Sequence, residues 1–190
     1  MLADQTTRLF EQARGGAPEA LDALYTRAAT KLLPLIRLRM GRALRAEMES
    51  RDVLQAVMLK SFRALPALED GRALMAWLSR IADNEIRDRV DHMHRDRRDV
   101  ARRAPLDEAA DVPAPMRRAL SQVLLSERTE RLEAALESLP ADQREVIVLR
   151  MLEELTFPEM AVRLGKSDDA CRMAFARAMA ALAIRVRNLD

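Results

Sequence analysis

One cysteine, Cys171, in 190 residues leaves no disulfide framework and no thiol cluster for zinc. Aromatic residues make up only 3% of the chain, with one tryptophan and one tyrosine, and β-branched residues are sparse. Sheet-rich folds therefore lack their usual material. There is no glycine-rich phosphate loop, no Ser/His/Asp order and no pair of buried carboxylates suited to acid–base work. The histidines, His92 and His94, stand two apart and diverge on a helix, with no thiol or carboxylate set to complete a metal site. No cofactor and no enzymatic activity are expected. The N-terminus shows no basic-then-apolar signal pattern, and no apolar run is long enough to cross a bilayer. The expectation is a cytoplasmic protein without membrane insertion. The net charge of +2 is too small to argue for a nucleic-acid partner by itself.

Leu, Ala, Met, Arg and Glu dominate instead, and 49% of the residues are apolar, enough for a buried core in an all-α fold. Thr6 to Arg14 reads as one helix, Pro18 to Ala29 as a second, and Lys31 to Met40 as a third with Pro34 in its first turn. Gly41 to Ser50 continues that helix or forms a loop. Arg51 to Leu65 follows, with Ser50 as cap. A long helix then runs from about Ala73 past Val90 on a stripe of Leu74, Trp77, Leu78, Ile81 and Ile86. From Asp91 to about Met116 mixed charge and three prolines describe a linker. Periodicity returns at about Arg118. Two small helical domains with a flexible join are expected: 1–94, a linker over 95–118, and 119–190.

The C-terminal domain contains the most informative stretch, Thr156 to Met179. Thr156 with Glu159 forms a T-x-x-E capping box, Pro158 sits in the first turn, and Met160, Ala161 and Leu164 share one face. Gly165 ends that helix, and Ser167 starts another whose inner side carries Cys171 and Phe175. Lys166, Arg172 and Arg177 lie outside. This is the outline of a helix-turn-helix reading a major groove; the plainer alternative is a helical hairpin in a bundle. Charge is divided to match. Glu127 to Glu159 holds nine acidic and four basic residues (−5), whereas Arg163 to Arg187 holds six basic and two acidic (+4). Positive charge gathers where phosphates would be met.

Four segments then resemble one family in order. Arg51-Asp52-Val53-Leu54-Gln55 with Phe62-Arg63-Ala64-Leu65-Pro66 is similar to the D-L-V-Q-E helix of small bacterial RNA polymerase sigma factors. Trp77 to Asn84 resembles their W-L-x-R-I-A-x-N, Leu139 to Val146 their L-P-x-x-x-R-x-V, and Leu155 to Leu164 their L-S-x-x-E-I-A-x-x-L-G. The resemblance covers about Thr6 to Val186 and points to the extracytoplasmic-function group. It implies a factor that binds core RNA polymerase and directs it to a class of promoter, with room for an anti-sigma partner. Asp52, Leu54, Gln55 and Met58 would dock on the polymerase, Ala56 standing where the family usually has Glu. Arg80, Asn84, Arg87 and Asp88 would meet the minus-ten element. Leu74 and Ser79 replace aromatics common in relatives, and Trp77 reads either as a core residue or as a support for unstacked bases.

For the minus-thirty-five element the same reasoning selects Lys166, Ser167, Asp169, Arg172, Met173 and Arg177, near the start of the second helix. Asp169, Arg172 and Met173 fall nearest the bases, with Lys166 and Arg177 on the backbone. Ala174 stands where many relatives carry Arg. Two other functions fit a helical chain with this motif: a helix-turn-helix repressor, which would dimerise and bind a palindrome unaided, and a helical protein-interaction scaffold.

Overall fold

The computed structural model describes residues 2–96, 113 and 127–187. The described residues contain helices and turns and no strand. Helix α1 (Leu2–Arg14) is followed by α2 (Pro18–Arg45), α3 (Ser50–Ala64) and α4 (Leu74–Asp96), with short 3-10 turns over Leu65–Ala67 and Gly71–Ala73. Then come α5 (Glu127–Glu137), α6 (Ala141–Ile147), a π-turn over Val148–Leu152, α7 (Phe157–Leu164) and α8 (Asp168–Arg187). Apart from Arg95, Asp96 and Pro113, the expected linker lies outside the described residues, as does the stretch 119–126.

Two sequence expectations change here. Pro18 to Met40 forms one helix, not two, and it passes through Pro34 before kinking at Gly41, whose φ of 64° lies in the left-handed region. An interior proline forfeits a backbone hydrogen bond at a cost of about 3 kcal/mol. Its neighbours Leu32, Leu33, Leu35 and Ile36 are all buried in the N-terminal core. Each such side chain returns about 1.5–3 kcal/mol on burial, so packing outweighs the break. Ser50 is the second difference. Glu49 is the N-cap of α3 and makes no side-chain cap bond. The Ser50 hydroxyl instead accepts from Arg37 Nε at 3.2 Å.

The N-terminal core is built from α2, α3 and α4 around Leu32, Ile36, Leu54, Met58, Leu74 and Leu78. The C-terminal half has two smaller clusters. Leu136, Leu139, Ile147, Ala178 and Leu182 join α5, α6 and α8. Val146, Leu149, Met160, Ala161 and Cys171 join α6, α7 and α8. The halves are in contact. Leu152 of the π-turn belongs to the N-terminal core, and Leu38 of α2 packs against the α5–α8 cluster.

Candidate nucleic-acid and polymerase interfaces

The helix pair α7–α8 forms as its sequence chemistry requires. Thr156 Oγ1 accepts from the Glu159 backbone N–H at 3.4 Å, and Glu159 Oε2 accepts from the Thr156 N–H at 2.7 Å. The capping box is therefore reciprocal. Gly165 closes α7 at φ 63°, ψ 36°, a conformation that costs a residue with Cβ roughly 1 kcal/mol or more. Ser167 Oγ accepts from the Ala170 N–H at 3.2 Å and caps α8. Met160 and Cys171, both fully buried, lock the two helices together.

This packing turns the cations outward. Lys166, Asp169, Arg172, Met173 and Arg177 are all exposed, Met173 by 64%. An exposed thioether at the start of α8 is apolar surface available to a thymine methyl. Ser167 is also exposed, though its hydroxyl is committed to the cap. Arg172 is held from two sides. Its guanidinium lies 4.6 Å from the Phe157 ring centroid, and Nε stands 3.9 Å from Asp169 Oδ1. Arg150 covers the same ring at 4.9 Å, and Phe175 meets it edge-on at 6.0 Å. Sequence reasoning assigned nothing to Phe157 or Arg150. The one available signal was an aromatic at the first position of α7 in a chain with few aromatics.

On α4, Arg80, Asn84, Arg87 and Asp88 form an exposed polar edge. Arg87 Nη1 donates weakly to Asn84 Oδ1, at 3.5 Å. Trp77 is half-buried and packs against the N-terminal core, beside the stripe that the sequence suggested. Helix α3 separates its expected polymerase residues. Asp52 is exposed and Gln55 half-buried, but Leu54 and Met58 have no exposure at all. A side chain enclosed in a core cannot meet a partner, so those two assignments are corrected: Leu54 and Met58 hold α3 in place. Beside them Glu85 of α4 is buried and accepts from Lys60 Nζ and Arg89 Nε, each at 2.6 Å. Burial pushes the Glu85 carboxyl up, but the bonds from Lys60 and Arg89 outweigh it and hold it below its ordinary value.

Comparison with known proteins decides what this two-part helical chain is. Sigma-70 region 2 matches residues 28–98 and Sigma-70 region 4 matches residues 129–182. The extracytoplasmic-function sigma factor SigD of Mycobacterium tuberculosis is 30% identical over 180 residues, spanning 94% of this chain and 82% of SigD. The chain belongs to the sigma-70 family, in its extracytoplasmic-function group. CarQ of Myxococcus xanthus, another sigma factor, is 29% identical over 86% of this chain and 87% of its own. The solved structure of CnrH in complex with the cytosolic domain of CnrY is 25% identical, with 97% of this chain and 98% of that one aligned at a TM-score of 0.43. As a sigma factor the protein binds core RNA polymerase and promoter DNA and serves promoter-specific initiation of transcription. The region 2 match takes in α2 from residue 28 together with α3 and α4, and the region 4 match runs from α5 through α7 into α8 as far as residue 182. Among the described residues no helix is long and apolar enough to cross a membrane.

Proposed function

We propose that this sigma factor reads its promoter through two exposed faces and docks on polymerase through a third. The start of α8 meets the minus-thirty-five element, with Arg172 and Met173 toward base edges and Lys166 and Arg177 on phosphates. Asp169 steers Arg172, and Ser167 sets the start of the helix. Arg80, Asn84, Arg87 and Asp88 on α4 meet the minus-ten element. Asp52 and Gln55 on α3 dock on the polymerase. The division into 1–94, 95–118 and 119–190 follows the same roles, and first proteolytic cuts are expected between Arg95 and Arg118. The chain makes no bond itself, since bond formation belongs to the polymerase. It acts in the cytoplasm, and the family reading extends to control by an anti-sigma partner.

The observation that carries this is the outward presentation of Arg172, propped on Phe157 at 4.6 Å, at the N-terminal end of a capped second helix. A guanidinium so held can bridge guanine O6 and N7 with two hydrogen bonds. The test is promoter-library transcription by holoenzymes carrying Arg172→Ala or Asn84→Ala. Arg172→Ala is expected to relax preference at the upstream element only, and Asn84→Ala at the downstream element only. Unchanged preference in either case removes that helix from the reading. Pull-down of core polymerase by Asp52→Ala/Gln55→Ala tests the third face, with weakened capture expected at unchanged helicity.

A further inference from the structure

A guanidinium that reads a base must be ordered, and an exposed arginine on a helix surface samples many rotamers. That ordering is either built into the free protein or charged against binding when the DNA arrives. Among the described residues, Asp169 and Phe157 stand beside Arg172, and they are not equal. Asp169 Oδ1 lies 3.9 Å from Nε, beyond hydrogen-bond distance, and its side chain is 94% exposed. An ion pair so long and so wet is screened and holds its partner weakly. The Phe157 ring is the stronger holder. Its centroid stands 4.6 Å from the guanidinium carbon, inside the range of about 6 Å over which an aromatic face attracts a cation.

The ring can hold because it is itself held. Phe157 is the first residue of α7, directly after the Thr156 cap, so the capping box fixes its backbone. Its side chain is half-buried against the cluster of Met160, Ala161 and Cys171. Phe175 of α8 meets it edge-on, with centroids 6.0 Å apart and planes at 66°. Arg150 lies 4.9 Å from the same centroid, and its Nη1 donates to the Leu155 carbonyl at 2.9 Å. That bond ties Arg150 to the turn entering α7. Of the two cations at the ring, Arg150 is therefore the fixed, half-buried one, and Arg172 is the exposed one. Their charges repel, which drives the exposed guanidinium outward and not across the ring. Ala174 packs in the same cluster and adds no cation, leaving Arg172 the first arginine of α8.

We propose that Phe157 is a specificity-determining positioning residue: its ring, braced by Arg150 and Phe175, orders the guanidinium of Arg172 for the upstream element before DNA arrives. Selectivity at that element then belongs to both helices of the motif, since the reading side chain is on α8 and its support is on α7. The proposal rests on Arg172 reading the minus-thirty-five element. Phe157 needs no contact with a base. Its effect falls only on the positions that Arg172 reads, because other side chains on the face do not lean on this ring.

The test is promoter-library transcription by holoenzymes carrying F157L, F157Y, D169N, R172A and F157L/R172A, with helicity and urea midpoint measured beside it. F157L keeps an apolar side chain in the cluster but removes the ring. It should relax preference about threefold to tenfold, at the same one or two positions that R172A relaxes, as the ordering of one long side chain supplies. F157Y, which keeps a ring, should retain the wild-type preference, and D169N should lose less than F157L. The double variant should lose no more than R172A alone, because without the guanidinium the ring has nothing to position. A merely structural Phe157 would instead lower transcription evenly across promoters and add its loss to that of R172A. A folded F157L with wild-type preference overturns the proposal, as does an additive double variant. Where F157L does not fold, trifluorophenylalanine at position 157 keeps the shape and weakens the ring's attraction for a cation. A loss at the positions of Arg172 then supports the proposal, and wild-type preference overturns it. If R172A itself leaves upstream preference untouched, the promoter reading fails and takes this proposal with it; if R172A relaxes preference and F157L does not, only the role of Phe157 fails.

Discussion

Two basic surfaces of this molecule are treated in opposite ways. On α7–α8 the cations Lys166, Arg172 and Arg177 stand in solvent, and among the described residues Arg172 meets an aromatic ring and a distant carboxylate. On α2 the cations Arg27, Lys31, Arg37, Arg39 and Arg45 lie under carboxylates of the other half. Composition does not separate the two surfaces, because both are arginine-rich helix faces. Partner geometry does. An exposed guanidinium keeps its hydrogen-bond donors for a ligand, whereas a paired and buried one has spent them on the fold.

The largest test of this contrast removes a masked cation. Arg39→Ala leaves the buried Glu153 without its close donor and should cost about 3–5 kcal/mol, the usual penalty for breaking a buried pair from one side. Urea titration monitored by circular dichroism, run beside scattering, would read the loss as separation of the halves. A cost below that of an ordinary surface substitution would place Arg39 with the exposed class.

Arg172→Ala should act in the opposite sense. Discrimination at one or two upstream positions should fall by about 1–3 kcal/mol, with the urea midpoint nearly unchanged. The same substitution lowering stability more than specificity would show Arg172 to be structural. Lys166→Ala is a smaller effect: weaker binding on every promoter and a salt dependence of holoenzyme binding shallower by about 0.9 in log–log slope. Lys31→Ala, on the masked face, should leave that slope as it is.

The smallest effects come from pH, and they separate two buried carboxyls. Glu85 titrates below its ordinary value, so its contribution to stability is present at neutral pH and is lost as pH falls through that lowered value. Glu133 goes the other way. Burial raises its carboxyl despite Arg37, so its contribution is full in acid and fades as pH rises through the raised value. Glu85→Gln should therefore lower the urea midpoint at pH 7 and converge with the wild type in acid. Glu133→Gln should raise the midpoint at pH 7 and likewise converge below about pH 4, near the unperturbed carboxylate range.

Much of the promoter-facing half was legible beforehand, because its signals are local. A T-x-x-E box, a glycine at the end of α7 and a serine before α8 are read within a few residues of one another, and each appears with its expected bond. The helix of Trp77 and Asn84 was equally clear from its apolar period. Leu54 and Met58 were misjudged for a related reason. An i,i+4 pair marks a face of α3, but periodicity does not say whether core or partner covers that face, and the core of α2 and α4 does. Ser50 and Pro34 were misread because a tertiary contact from Arg37 and the packing around α2 override local preference.

By itself the sequence determined that the chain is helical, that it has two parts, and where its helix-turn-helix begins and turns, since those follow from capping, turn chemistry and 3.6-residue periodicity. Only the tertiary structure decided which arginines are available. The acidic run before Glu159 read as a simple surplus of negative charge, yet Glu133, Glu137, Glu153 and Glu154 from it pair with α2, more than ninety residues away in the chain. Pairing at such separations depends on how packed helices bring distant surfaces together, and no local pattern encodes which surface a charged face will meet.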